Sequence, residues 1–82
     1  MSKAKLKREI KDMEDDLEGT LTVLFMMSSK IPRCRMMYQK VRGYADWDDY
    51  SKLSDLWERR QWLQSVLHRI QADMMADIVD GK

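Results

Sequence analysis

Cysteine, proline, histidine and glycine are scarce in these 82 residues: one Cys, one Pro, one His and three Gly. The single Cys34 cannot form an internal disulfide. Without His or Cys companions at ligand spacing it does not form an ordinary zinc site either. A reducing, intracellular (cytoplasmic) setting fits, and neither a metal nor a cofactor is expected. His68 has no Ser, Cys or carboxylate partner in a triad-like spacing, so nucleophilic catalysis finds no support. The longest apolar run, Val23 to Met27, is far too short to cross a bilayer, and the Lys-rich start lacks an apolar core with a cleavage site. Neither secretion nor membrane spanning is expected. Net charge is also small, at +1, which weakens any case for a polyanion binder.

What is present is helical patterning. Apolar residues make up 44% and charged ones 35%, too apolar for a disordered chain and suited to helices with one dry face. Residues 3–30 carry Leu6, Ile10, Met13, Leu17, Leu24, Met27 and Ile31 in a 4,3 alternation broken only at Thr20, a coiled-coil-like seam. Leu21, Val23 and Phe25 widen the stripe, so burial on more than one side is expected there. Gly19 costs about 1 kcal/mol against alanine inside a helix, and either marks a bend or, the favoured expectation, allows a bulky neighbour such as Trp62 to approach. From Asp46, a plausible N-cap followed by Asp48 and Asp49, a second stripe runs through Leu53, Leu56, Leu63, Leu67, Ile70, Met74 and Ile78. It predicts one long helix over 46–80, ending near Gly81.

Between the long helices lies a basic connector, 31–45. Pro32 ends the first helix because it lacks an amide hydrogen and disfavours helical geometry at Ile31. Arg33 to Arg42 predict a short helix with Cys34, Met37, Tyr38 and Val41 on one face and Gly43 as its cap. Charge comes in blocks: five bases against Glu9 over 3–11, five acids over 12–18, five bases over 30–42, and five acids against Lys52 over 46–58. Antiparallel packing of the long helices sets bases against acids at one end and brings the 12–18 acids beside His68 and Arg69. Parallel packing sets two acidic blocks together. The expectation is a single all-α domain over 1–82, an antiparallel helical hairpin with a short third helix across its closed end. At this length a folded chain buries only roughly 60–65% of its unfolded surface, so assembly as a homodimeric helical bundle, a homo-oligomer, is expected as well.

Three groups of side chains are candidates for binding. Trp57 and Trp62 lie five residues apart and project about 140° from each other on a helix. At least one therefore lies off the seam, and tryptophans in such positions anchor interfaces. The pair Met36 and Met37 cannot bury both members on one narrow seam, which offers an adaptable apolar contact; core filler is the plainer reading of these methionines. Asp46, Asp48 and Asp49 form an acidic patch. They lack the central glycine and closing glutamate of a calcium loop, so helix capping is the simple reading and phosphate mimicry the sharper one. Arg33, Arg35, Lys40 and Arg42, with Tyr38 and neighbouring Lys30 and Tyr44, are the alternative anion or nucleic-acid contact, cations for phosphate and aromatics for bases. Acidic blocks on both flanks oppose it. Cys34 sits between two arginines that favour its thiolate, although burial on the short helix is the plainer reading.

The run Leu6 to Leu17, with Lys7-Arg8-Glu9-Ile10-Lys11-Asp12-Met13-Glu14-Asp15-Asp16 between, resembles the first helix of the all-helical chorismate mutases. That family continues with arginine and lysine facing its active site, where this chain has the uncharged Thr20 to Ser29, so no catalytic residue carries over. The sequence thus implies a non-enzymatic protein that binds another protein: an adaptor, an assembly factor or a small inhibitor of the kind viral and mobile-element genes encode. A purely structural self-assembling bundle is the remaining alternative.

Overall fold

The computed structural model describes residues 2–80, and the side chains of 2–76. The first helix, α1, spans Lys3–Met27 and begins where Ser2 Oγ accepts the Lys5 amide at 3.2 Å, an N-cap of the ordinary kind. It ends three residues before the expected position. The Ser28 hydroxyl donates to the Phe25 carbonyl at 2.6 Å, and residues 28–30 form a turn. Pro32 then opens the second helix, α2, over Pro32–Tyr44. Its missing amide is one that a first helical turn leaves unpaired in any case, and Ile31 is extended, as a residue before proline prefers. Gly43 is not the cap: it lies inside α2, with no positive φ at any described glycine, and Ala45 closes the helix through its amide to the Val41 carbonyl at 2.7 Å.

Asp46 is an N-cap, accepting the Asp48 amide at 2.9 Å, but of the five-residue helix α3, Trp47–Ser51. The long helix expected over 46–80 is therefore divided, and α4 runs only from Leu56 to Asp80. A second cap explains the break: Asp55 Oδ2 accepts the Glu58 amide at 3.2 Å, so the chain restarts a helix there. Arg59 holds the bend, donating to the Leu53 carbonyl and lying 5.2 Å from the Tyr50 ring centroid. The expected helix end at Gly81 lies outside the described residues, as does the side chain of Ile78. No helix among the described residues is long and apolar enough to cross a membrane.

The fold is all-α with two long helices joined by a bent segment, and no strand occurs among the described residues. The direction of packing differs from the charge-based expectation. Arg60, in the second turn of α4, donates to Glu9 near the start of α1 at 2.9 Å. Met74, late in α4, sits with Gly19, Val23 and Leu24, late in α1. The long helices therefore run parallel, and the antiparallel hairpin is α1 with α2, where Phe25 meets Tyr38 at 5.5 Å. The short helix does not cross a closed end. Its 13 residues carry the chain back about 20 Å along α1, and α3 and the bend complete the return. Exposed ion pairs contribute only a few tenths of a kcal/mol and were too weak to set the direction.

The core joins Ile10, Leu17 and Leu24 of α1, spaced seven apart, to Val41, Ala45, Tyr50 and the α4 residues Leu63, Val66 and Ile70. Leu17, Leu63 and Val41 are fully enclosed, each contributing about 1.5–3 kcal/mol of apolar burial. Along the two expected stripes, Met27, Ile31 and Met74 remain exposed, while Val66, on neither stripe, is a core residue. The widening of the first stripe does not bury it on two sides: Val23 and Phe25 are 59% and 61% exposed. Gly19 is not closely packed either, since a Cβ there would meet nothing within 4 Å.

Candidate functional site

Two polar latches fasten the connector to the long helices. The Tyr50 hydroxyl donates to Glu14 Oε2 at 2.6 Å, and the Tyr44 hydroxyl donates to Asp73 Oδ2 at 3.0 Å. Lys40 Nζ stands 3.4 Å from the other oxygen of Asp73, and the Arg69 guanidinium lies 4.2 Å from the Tyr44 ring centroid. Burial, and then the hydrogen bond to Asp73, push the Tyr44 hydroxyl up to about 12 from an ordinary 10.0. The Tyr50 hydroxyl is raised further, by burial first and the Glu14 bond second. Both groups hold their protons at neutral pH and serve as donors that position α2 and α3.

With the connector fixed, a groove of about 660 Å³ opens across α1, α2 and α3. Leu21, Phe25 and Trp47 are among its apolar lining residues, and Arg42 lines it together with the acids Glu18, Asp46 and Asp48. Tyr38 lies between Phe25, at 5.5 Å, and the Arg42 guanidinium, at 5.8 Å. The structure thus gathers parts of two sequence-predicted groups, Tyr38 and Arg42 with Asp46 and Asp48, into one mixed-charge groove. Asp49 is apart from it, 4.0 Å from Lys52.

The other cations of the connector are partly engaged within the fold. Lys40 is paired with Asp73, and Arg35 Nε donates to the Ser28 carbonyl at 3.4 Å. Arg33 is exposed on the first turn of α2. Cys34 is half-buried and packs against the core.

The tryptophans separate as their spacing requires. Trp62 packs against the core in an aromatic cluster, 4.8 Å from Tyr50 and 6.0 Å from Trp47 between ring centroids. Trp57 is half exposed, with the Arg60 guanidinium 5.3 Å from its ring centroid. Met36 and Met37 also divide: Met36 is 71% exposed and Met37 packs against the core. Trp57 and Met36 are therefore the members of the apolar group that face solvent, and they lie on different helices rather than in one cluster.

Further exposed apolar side chains were not among the predicted binding residues: Val23, Phe25 and Met26 on the last turns of α1, and Met74 and Met75 on α4. A signal for them existed. In the uncharged stretch Thr20 to Ser29, at 100° per residue, Val23 and Met26 point well away from the Leu17 and Leu24 direction, so one seam could not have buried them all. Among the described residues, no group of three or more His, Cys, Asp or Glu side chains is arranged to hold a metal ion. No protein-family model, curated protein or solved structure matches this chain.

Proposed function

We propose that this protein is a small, non-enzymatic protein–protein interaction module, working as an adaptor, assembly factor or inhibitor. The observation that carries the reading is the exposure of large apolar side chains on both flanks of the last turns of α1, where Val23, Phe25 and Met26 are 59%, 61% and 66% exposed, together with Met36 at 71% on α2 and Met75 at 60% on α4. Isolated exposed apolar side chains are ordinary, whereas groups of them mark binding surfaces. Methionines suit such a surface because their unbranched, polarisable side chains repack against different partners. Trp57 is a separate half-exposed apolar side chain at the opposite end of α4, and the mixed-charge groove beside Phe25 supplies electrostatic selection.

The test uses Met26→Glu and Met36→Glu, both at exposed sites. Helicity and melting temperature should be unchanged. Wild-type protein crosslinked in extract should capture a partner that, once purified, binds wild type stoichiometrically by calorimetry and binds the variants at least about tenfold more weakly. Equal affinity for wild type and variants would overturn the reading. So would a dimer, measured by light scattering, that Met26→Glu dissolves, because the surface would then serve self-association.

A further inference from the structure

The helix α1 borders a groove on each flank, and only one flank is backed by a further layer of helix, α2 and α3. Glu14 meets Tyr50, and Leu21 and Phe25 face α2 and α3. On the other side Asp15, Asp16, Gly19, Thr20, Val23 and Leu24 form, with Met74 of α4, an open groove of about 390 Å³. Asp16, Gly19 and Val23 follow one another at steps of three and four, the spacing of a helix-packing stripe. The bare Gly19, whose Cβ position is clear for 4 Å, leaves a depression in the middle of that stripe. Two parallel helices with a third layer on one side and an empty groove on the other lack one helix of a four-helix arrangement.

Charge selects the occupant. The groove has an apolar end at Val23 and Met74 and an acidic end at Asp15 and Asp16, and no base lines it. Asp15 has only Lys11 nearby, at 3.9 Å with both side chains exposed, and Asp16 has no ion-pair partner among the described residues. A second copy joined by a two-fold axis would set the carboxylates against carboxylates or against Val23 and Met74, and in neither arrangement does the groove itself bring them a base. We infer that the groove receives an amphipathic helix of another protein whose apolar stripe is flanked by lysine or arginine. The inference rests on the interaction reading above and adds the partner's shape and charge. Recognition of this kind uses apolar anchors for affinity and complementary charge for selection.

The probes are two synthetic helical peptides with one leucine stripe, flanked by lysines in one and by glutamates in the other, titrated against the full chain by fluorescence anisotropy. The lysine peptide should bind at least about tenfold more tightly, and less tightly as salt shortens the screening length. Asp15→Lys with Asp16→Lys should reverse the preference without altering circular dichroism, Val23→Glu should weaken the lysine peptide, and Asp49→Lys, outside both grooves, should change neither. A preference that survives the Asp15 and Asp16 reversal, or falls equally with Asp49→Lys, overturns the inference. A mass that doubles with concentration and reverts in Val23→Glu also overturns it, giving the groove to a second copy. The two proposals fail separately. If Met26→Glu and Met36→Glu weaken capture of the natural partner while charge reversal has no effect, only the basic helix is rejected; if they leave capture intact, the wider reading falls.

Discussion

The two flanks of α1 are made from one helix of 25 residues, yet they end in opposite states. The flank toward α2 and α3 is covered by enclosed apolar side chains and by the Tyr50–Glu14 bond up to the groove at Leu21 and Phe25, while Tyr44–Asp73 ties the end of α2 to α4. The flank carrying Asp16, Gly19 and Val23 is open. Composition does not separate them, since both have carboxylates and aliphatic residues. The closed flank differs in having partners of the right kind: a hydroxyl donor for Glu14, and Tyr38 for Phe25. The open flank has Met74 alone opposite it. An amphipathic helix buries what its neighbours cover, and the connector covers one side only.

The contrast is broken most severely by emptying the core both flanks share. Leu17 is fully enclosed, and Leu17→Ala should cost about 2–5 kcal/mol. For a chain of this size that approaches the whole stability, so urea unfolding followed by circular dichroism should show a greatly lowered midpoint or no folded baseline. Val23→Ala, on the exposed flank, should leave the midpoint almost where it was.

The closed flank should also be sensitive to alkali. Folding raises the pKa of Tyr44, to about 12, and of Tyr50. The folded state thus keeps protons that the unfolded chain releases, so stability is fully present below about 10 and declines as pH rises through the folded values. Melting curves at increasing pH should show this loss, and Tyr50→Phe should reduce it. At neutral pH the same variant should lower stability by about 1 kcal/mol through loss of the Glu14 bond. An alkaline profile unchanged by Tyr50→Phe would mean that the latch does not link folding to protonation.

The gentlest test sharpens the open side. Gly19→Ala should stabilise the protein by up to about 1 kcal/mol, because alanine favours the helix and its Cβ meets nothing within 4 Å. A lowered melting temperature would show that the depression at Gly19 is filled in solution.

Much of the fold was legible in the sequence because helix periodicity is local. The seven-residue spacing of Ile10, Leu17 and Leu24, the cap at Asp46 and the divergence of Trp57 from Trp62 all follow from 100° per residue and short-range hydrogen bonds. The break between α3 and α4 was readable too, in Asp55 with Glu58 three residues on, but the stripe through Leu53 and Leu56 masked it. The sequence alone therefore determined that the chain is helical, where most helices begin, and which faces are apolar. Tertiary structure decided that the long helices run parallel, that Val23 and Phe25 stay exposed while Trp62 is covered, and that Tyr38, Arg42 and Asp48 share a groove. The physical reason is range. Periodicity acts within a few residues, whereas direction and coverage depend on how far α2 and α3 carry the chain back before α4 begins, a length set by where helices stop rather than by the charges they bear.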